Sequence, residues 1–255
     1  MIKLKKKVSV IMPFFRKKKF FREAYNSILN QNYRNIEIII IYDDHNLSEL
    51  DFVESVIDKK NTIILINKKN RGAAYSRNLG IKKSKGYYIA FLDCDDIWRN
   101  NKLSQQISFM EKYKLEFTCT NYSVINEKGD FMYSLTSPKI LNRKNLLQSC
   151  DIGLSTVIIK KKILNNFKFK NLLTKEDYLL WLQITKKNIH IHCIKKNLAC
   201  WRDVKGSLSS NIIQRIKDSF KIYYYYEKQF LFQSIISIVM LSLNSFRKKI
   251  KRFYL

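Results

Sequence analysis

The strongest constraint on the fold is an alternation of short apolar runs and amphipathic segments in the first 92 residues. Four runs have the β-branched and aromatic composition of buried strands, at 8–12, 36–42, 62–66 and 87–92. Helical patterns lie between them, at 20–31, 50–58 and 71–84. This alternation predicts an α/β fold, in which helices flank a mostly parallel sheet. Ligands bind such sheets at the carboxyl ends of the strands.

Acidic side chains follow two of these runs. Asp43 and Asp44 come after the second, and Asp93, Asp95 and Asp96 come after the fourth. Carboxylates that converge on one sheet edge repel one another unless a cation lies between them. Mg²⁺ and Mn²⁺ prefer oxygen ligands and usually share them with substrate phosphates. The sequence therefore predicts a metal–nucleotide site, and the absence of GxGxxG and GxxxxGK[ST] argues against a dinucleotide fold and a P-loop.

Cysteine content and net charge indicate the cellular compartment and the class of partner. The five cysteines lack CxxC spacing, which indicates a reducing compartment rather than a disulfide framework or a zinc site. The basic and then apolar N-terminus is interrupted at Pro13, so it predicts a strand in a cytoplasmic chain rather than a signal peptide. The net charge of +27 indicates either a phosphate-bearing or anionic membrane partner, or an AT-rich genome. Basic clusters stand at 3–7 and 247–252.

Four segments, in order, resemble the family 2 glycosyltransferases, which have the Rossmann-like GT-A fold. VSVIMPFF resembles the opening strand and Pro-aromatic turn, and IEIIIIYDDHN the second strand with its acidic pair. The segment from Asn70 to Trp98 resembles the helix that precedes the DXD motif, with the motif itself at Asp93 and Asp95. TKEDYLLWL resembles the late Glu-Asp helix start. The chain departs from the pattern at His45-Asn46 and in the basic turn 16–19.

The resemblance implies transfer of a sugar, of hexosyl type, from a nucleotide-diphosphate donor to an acceptor hydroxyl. Inverting members use one in-line displacement, which needs a cation on the departing diphosphate and a base for the acceptor proton. Asp95 would hold the Mn²⁺ or Mg²⁺ cofactor, and Asp93 would reach the donor ribose or support the metal. Asp177 would be the catalytic base, with Glu176 beside it.

The resemblance also implies a set of nucleotide-sugar contacts. Asp44 would bind the nucleotide base, with Pro13 and Phe15 packed nearby, and Arg77 would be a further contact. Arg202, with Ser207 and Ser209, would close over the diphosphate from a flexible loop, since a guanidinium suits paired phosphate oxygens. A plain polar loop is the alternative for this last segment.

Structural roles compete with these assignments. Asp43 and Asp44 also suit a turn after a strand. We expect Asp96 to cap a helix that starts near Trp98. Thr174 and Asp177 fit a capping box, a role compatible with catalysis by Asp177. Two further side chains, Trp181 and Cys94, are predicted to lie in the core.

The C-terminal segment predicts an amphipathic helix. Residues 230–246 approach membrane-spanning length, but five polar residues interrupt them and would share about 120° of a helix. An in-plane membrane helix fits this pattern, with the basic run 247–252 on anionic headgroups. The alternative is a helix packed on the catalytic domain or in a dimer. We therefore divide the chain into a GT-A domain, 1–210, and a helical tail, 211–255.

Within 1–210, residues 1–98 would bind the nucleotide and 99–210 the acceptor. We predict a bacterial, metal-dependent glycosyltransferase, cytoplasmic and peripheral to the inner membrane. Its acceptor would be a lipid-linked glycan for surface polysaccharide or lipopolysaccharide; an oligomer is compatible with the sequence. A nucleotidyltransferase is one alternative, but PFFRKKKFF lacks that class's glycine-rich loop. A nucleic-acid-binding protein is another, but the aromatic run 223–226 has few adjacent cations, so we predict no nucleic-acid partner.

Overall fold

The computed structural model describes residues 5–207 and 210–251, with side chains to residue 244. Its strands are β1 (Val8–Phe14), β2 (Ile36–Tyr42), β3 (Thr62–Ile66), β4 (Tyr88–Phe91), β5 (Ile97–Trp98), β6 (Phe117–Ile125), β7 (Phe131–Leu135), β8 (Ile140–Leu141), β9 (Ile158–Lys160) and β10 (Ile191–Arg202). Its α-helices are α1 (Lys18–Leu29), α2 (Leu50–Val56), α3 (Ala73–Lys83), α4 (Lys102–Lys112), α5 (Arg143–Gln148), α6 (Lys161–Leu164), α7 (Glu176–Thr185), α8 (Ile212–Phe220) and α9 (Leu231–Lys251). A 3₁₀ turn spans Leu154–Thr156, and a π-helical turn spans Lys221–Tyr226.

The predicted α/β class is confirmed. In the described part of the chain, ten strands form one sheet with the order β3-β2-β1-β4-β9-β6-β10-β5, while β7 pairs with β6 and β8 pairs with β10. The first four strands are parallel, as the alternation predicts. β9 runs antiparallel to both β4 and β6 and so joins the two halves of the chain into one sheet. The boundaries at residues 98 and 210 remain a prediction.

The apolar runs of the first half are buried on both faces of the sheet. Along β2, Ile39 and Ile41 belong to one core cluster, whereas Ile38 and Ile40 belong to the other. Helix α3 lies directly on β1, because a Cβ at Gly80 would come within 2.6 Å of the Ile11 side chain. This close packing holds α3 against β1, which lies between β2 and β4 in the sheet.

Two C-terminal helices bury several polar residues and expose many apolar ones, although Leu241 of α9 still packs in the core. On α9, Ser234 is buried and Asn244 donates to the Gln148 carbonyl at 2.9 Å. The exposed apolar side chains of α9 are Leu231, Phe232, Ile235, Ile236, Val239, Met240 and Leu243. On α8, Asp218 and Ser219 are buried, while the exposed side chains include Ile212, Ile213 and Ile216.

Helix α9 therefore packs on the rest of the fold, as in the alternative prediction, but most of its apolar side chains face solvent. Its neighbours are α5, α8 and the π-helical turn. Within residues 5–207 and 210–251, no helix combines the length and apolar character needed to cross a bilayer. The basic run 247–252 lies beyond the side chains that the structure describes. Membrane attachment of this segment remains a prediction.

Candidate active site

Asp43 organises the loop that leads into α3. Its carboxylate accepts hydrogen bonds from Asn67 Nδ2 at 2.7 Å, from the Arg71 amide at 2.9 Å and from the Gly72 amide at 2.8 Å. Gly72 has a φ of 82°, a conformation that disfavours residues with a Cβ. Asp43 thus has the structural turn role, which leaves Asp44 as the carboxylate available to a ligand at this strand end.

Asp44 already has a cationic partner from the basic turn after β1. Arg16 Nε donates to Asp44 Oδ2 at 2.8 Å, and the Asn46 amide donates to Oδ1 at 3.1 Å. The bond from Arg16 lowers the pKa of Asp44. A ligand that binds this carboxylate must therefore displace the exposed Arg16 side chain or share the carboxylate with it.

The prediction that Asp96 caps a helix was wrong. The residues after it form β5, and the next helix begins at Lys102. Asp96 is instead buried, where Oδ2 accepts from Ser155 Oγ at 2.5 Å and Oδ1 accepts from the Arg202 amide at 3.0 Å. Burial and the nearby Asp95 raise the pKa of Asp96 well above its usual range. Asp96 therefore anchors residues 93–96, called the acidic turn below, to the second half of the chain.

The prediction that Arg202 lies in a flexible loop was also wrong. Arg202 is the last residue of β10, and its side chain is 2% exposed. Its guanidinium donates to the carbonyls of Asp95, Asn126 and Glu127 and to the Glu23 carboxylate. A guanidinium with this many partners cannot swing over a diphosphate without leaving them unpaired. Arg202 holds the backbone of Asp95 in place.

Asp95 points towards solvent and is paired with a lysine. Lys17 Nζ lies 2.7 Å from Asp95 Oδ2, and the Asp95 side chain is 18% exposed. Among the described residues, no group of three or more His, Cys, Asp or Glu side chains is arranged to hold a metal. A hard cation that takes its remaining ligands from substrate phosphates and water needs only one or two carboxylates. Asp95 offers a partly exposed carboxylate oxygen, the ligand type such an ion prefers, so the residues fit a divalent ion once Lys17 moves away.

Arg77 joins the end of β4 to the start of α7. Its guanidinium donates to Asp93 Oδ1 at 2.8 Å and to the Glu176 carboxylate, and it is almost fully buried. Burial alone would lower the pKa of Arg77, but Asp93 and Glu176 raise it by a larger amount. Asp93 and Glu176, far apart in sequence, are therefore held in one charged cluster.

Helix α7 begins without the predicted capping box. Lys175 precedes it with a φ of 62°, and no side chain caps it. Thr174 donates through its amide and its hydroxyl to Asp218 Oδ2, at 2.9 and 3.0 Å. Asp177 Oδ1 accepts from the amide of the next residue, Tyr178, at 2.7 Å. The capping box was wrong, because the partner of Thr174 comes from α8.

Asp177 has the electrostatic character of a general base near neutral pH. Burial and the neighbouring Glu176 raise its pKa from the usual 3.8 to about 7, against an opposing effect of Arg77. A base works best when its pKa is close to the working pH. Glu176 is less suited to the role because its carboxylate is engaged by Arg77.

The remaining predicted nucleotide-sugar contacts lie in different environments. Pro13 lies on β1, where its carbonyl accepts from Cys94 Sγ at 3.0 Å, and Phe15 is exposed beside Arg16. Ser207 lies beyond β10, where its carbonyl accepts from the Ser210 amide at 3.0 Å. Ser209 lies outside the described residues. Burial confirms both predicted core side chains, Trp181 and Cys94.

Sequence reasoning missed three contributors to the site. Lys17 was visible as part of the basic turn 16–19, but nothing in the sequence pairs it with Asp95. Ser155 binds Asp96, and Asp218 binds Thr174. Neither stands in a recognisable motif, because each acts across a long stretch of chain.

Sequence comparison decides the family. The model of glycosyl transferase family 2 matches residues 9–173, which is more than half of the chain. This chain is a family 2 glycosyltransferase. A relative in Escherichia coli, UDP-Glc:alpha-D-GlcNAc-diphosphoundecaprenol beta-1,3-glucosyltransferase WfgD, is 37% identical over 216 residues, which is 82% of each chain. The family assignment selects glycosyl transfer over the nucleotidyltransferase alternative.

Solved structures show that the glycosyltransferase has the GT-A fold. S. aureus TarS 1–349, in complex with UDP-GlcNAc, superposes with a TM-score of 0.71 at 20% identity, over 86% of this chain and 65% of that one. Mannosyltransferase PcManGT from Pyrobaculum calidifontis, in complex with GDP-Man and Mn²⁺, gives 0.66 at 13% identity, over 88% and 65%. The glycosyltransferase thus spans slightly less than two thirds of both solved chains.

Proposed function

We propose that this glycosyltransferase moves a hexose from a nucleoside-diphosphate sugar to a lipid-linked glycan, with inversion and with Asp177 as general base. The observation that carries the proposal is the Arg77 cluster, which binds both Asp93 and Glu176 and so joins the donor side of the site to Asp177. Two chemically different tasks, diphosphate departure and proton removal, are thereby served within one cluster.

Donor recognition is proposed at the carboxyl ends of β1, β2 and β4. Asp44 accepts hydrogen bonds from the nucleotide base after the Arg16 side chain has moved away from its carboxylate. Pro13 and Phe15 pack beside that base. Asp93 binds the donor ribose or supports the metal, while Arg77 keeps its carboxylate in place. Ser207 is a further donor contact from the segment after β10. Arg202 contributes indirectly, since its guanidinium holds the Asp95 backbone.

Mn²⁺ or Mg²⁺ is the proposed cofactor, held by Asp95 with Asp93 in support. A divalent ion there offsets the negative charge of the departing diphosphate. Solvent exposure of Asp95 supports this assignment, as does the Mn²⁺ in the structure of PcManGT. Lys17 must leave Asp95 when the ion binds, and its ammonium is then free to pair with a phosphate oxygen.

The chemical step is proposed as a single displacement. Asp177 takes the proton of the acceptor hydroxyl, and the oxygen of that hydroxyl forms a bond to the anomeric carbon of the donor sugar. The bond from that carbon to the diphosphate oxygen breaks, and the diphosphate keeps the electron pair. A pKa of about 7 lets Asp177 be deprotonated before the step and hold the proton afterwards.

The relatives and the C-terminal helices support a proposed acceptor class and location. WfgD is named for an acceptor with a diphosphoundecaprenol group. We extend that class to this chain and place it in surface polysaccharide synthesis, at the cytoplasmic face of the inner membrane. Residues 230–255 would contact the anionic membrane surface, since the apolar face of α9 is exposed.

A transfer assay tests the function. The purified chain is incubated with a panel of nucleotide sugars, Mn²⁺ and a GlcNAc-diphospho-lipid, and lipid-linked disaccharide is measured. One donor is expected to give product and to raise the melting temperature in the presence of Mn²⁺, because bound ligand stabilises the folded state. Stabilisation by a nucleotide sugar without transfer to any lipid-linked glycan would reject the acceptor class, and no response to any nucleotide sugar would reject the function.

Membrane contact has its own expected result. Replacing Phe232 and Ile236, both exposed on α9, with serine is expected to weaken binding to phosphatidylglycerol vesicles by about tenfold or more, because each apolar side chain adds free energy of membrane burial. Phe131→Ser is the control, since the exposure of Phe131 lies between those of Phe232 and Ile236 but Phe131 is on β7. Equal vesicle co-sedimentation of all three proteins would place the attachment elsewhere.

A further inference from the structure

An apolar groove lies between the two C-terminal helices. Its volume is about 580 Å³, and its apolar lining consists of Ile216, Phe220, Tyr225, Ile235, Ile238 and Val239. Two cations, Lys217 and Lys221, complete the lining. Ile216, Ile235 and Val239 are each about half exposed, so the groove is open to solvent. An open apolar groove with cations at its wall suits an amphiphile with an anionic head.

The groove is formed by the way both helices are seated. Asp218, Ser219 and Ser234 are buried against the protein, whereas Ile216, Ile235 and Val239 are exposed. Asp218 is held by Thr174 and by Gln214 Nε2 at 3.0 Å, which secures the α8 wall. The groove is therefore a feature of the folded chain rather than a gap in its core.

The same contacts connect the groove to the active site. Asp218, which binds Thr174, lies between the groove lysines in the sequence of α8 and the π-helical turn. Thr174 stands just before Glu176 and Asp177. In the first turn of α7, the Tyr178 hydroxyl bonds to the Tyr223 hydroxyl of the π-helical turn at 2.9 Å. The groove wall and the start of α7 are thus one hydrogen-bonded unit.

We infer that this groove binds the isoprenoid chain of the lipid-linked acceptor, with Lys217 and Lys221 facing its diphosphate. Resting on the proposed function, this assigns the acceptor's lipid a site beside the general base. Lys221 Nζ lies 3.7 Å from Asp218 Oδ1, a distance at which the ammonium remains able to turn towards an anion. Lysine ammonium groups bind phosphates as mobile point charges.

Charge argues for this occupant over a second copy of the chain. A second copy of this chain, which carries a net charge of +27, would bring further positive charge towards Lys217 and Lys221, and like charges at an interface are unfavourable. An anionic lipid head is instead attracted to these two lysines. An isoprenoid anchored here brings the sugar on its diphosphate towards Asp177, so the site would select acceptors by their lipid as well as by their sugar.

Binding of farnesyl diphosphate, a short water-soluble isoprenoid, tests the site. Calorimetry is performed on the full chain and on Val239→Asp, with inorganic diphosphate and dodecyl phosphate as reference ligands. Val239→Asp is expected to weaken farnesyl diphosphate binding by about tenfold or more, because a carboxylate in the groove must lose water and repels the anionic head. Ile212→Asp, exposed at the start of α8 but outside the groove lining, is the matched control and is expected to retain the wild-type affinity.

The outcomes separate this site from a general lipid surface and from the proposed function. Equal affinity of the two variants for farnesyl diphosphate would overturn the groove, as would dodecyl phosphate binding as tightly as farnesyl diphosphate. The acceptor KM in detergent should rise in Val239→Asp alone. If wild-type protein transfers sugar to a lipid-linked acceptor with no difference between the variants, only the groove fails. Absence of transfer by the wild type would reject the function instead.

Discussion

Replacing Asp177 with asparagine is expected to lower sugar transfer by about 10²- to 10⁴-fold while nucleotide-sugar binding stays near normal. The amide cannot take the acceptor proton, yet its oxygen still accepts from the Tyr178 amide, so the start of α7 is preserved. Transfer rates and donor affinity, measured on the same samples, separate the base from a structural residue. Near-normal transfer would reject Asp177 as base, whereas a joint loss of donor affinity and transfer would place it beside the diphosphate.

The pH dependence of the wild type and the stability of the variant give two further readouts for Asp177. Since its pKa is raised to about 7 and only the deprotonated carboxylate is a base, kcat/KM is expected to rise as pH increases through about 7. Stability changes in the opposite direction. The folded state retains a proton that the unfolded chain has lost, so this group's contribution to stability falls as pH rises from about 4 to about 7. Asp177→Asn should therefore melt at a higher temperature than wild type at pH 8, but not at pH 3.

Asp95→Asn is expected to lower transfer by about a hundredfold or more, because the neutral amide no longer holds the cation that offsets the diphosphate charge. Asp95 is partly exposed and its backbone is held by Arg202, so the fold should survive. Mn²⁺ titration calorimetry and a transfer assay with excess chelator measure the effect. Full wild-type transfer in chelator would contradict the proposed metal.

Lys17→Met is the matched variant for Asp95→Asn. It keeps the carboxylate but removes the ammonium that lies 2.7 Å away, so Mn²⁺ affinity without nucleotide is expected to increase. Lys18→Met is the control, because Lys18 is exposed and lies over the Phe52 ring. If chelator leaves wild-type transfer intact while Lys17→Met abolishes it, lysine is the working cation and the metal proposal is wrong.

The parallel half of the sheet was predictable because a strand that is buried on both faces has a nearly continuous apolar sequence. Every residue of IEIIIIY except the glutamate is apolar or aromatic, and the strand was predicted with its observed bounds. The positions of Asp44, Asp93 and Asp95 followed from the same pattern, since they stand where buried strands end. Their convergence needed only the rule that parallel strands end on one edge.

The errors concern residues whose partners are distant in sequence. Asp96 resembled a helix cap locally, but its partners are Ser155 and the Arg202 amide. Thr174 resembled a cap for α7, but Asp218 binds it from α8. Propensity and spacing describe only neighbours along the chain. A buried polar residue whose hydrogen-bond partner is distant in sequence therefore cannot be recognised from them.

The attachment of the acidic turn to Ser155 and Arg202 affects when this turn can fold in the nascent chain. The strands that carry the turn leave the ribosome first, and they have their own apolar partners. The anchors of Asp96 arrive much later, since the stretch up to Arg202 takes roughly 5 to 20 s to translate at typical rates. Until then the buried Asp96 carboxylate lacks both of these partners. Maturation of the acidic turn is thus timed by synthesis of β10, and a chain that stalls before β10 leaves this turn without its anchors.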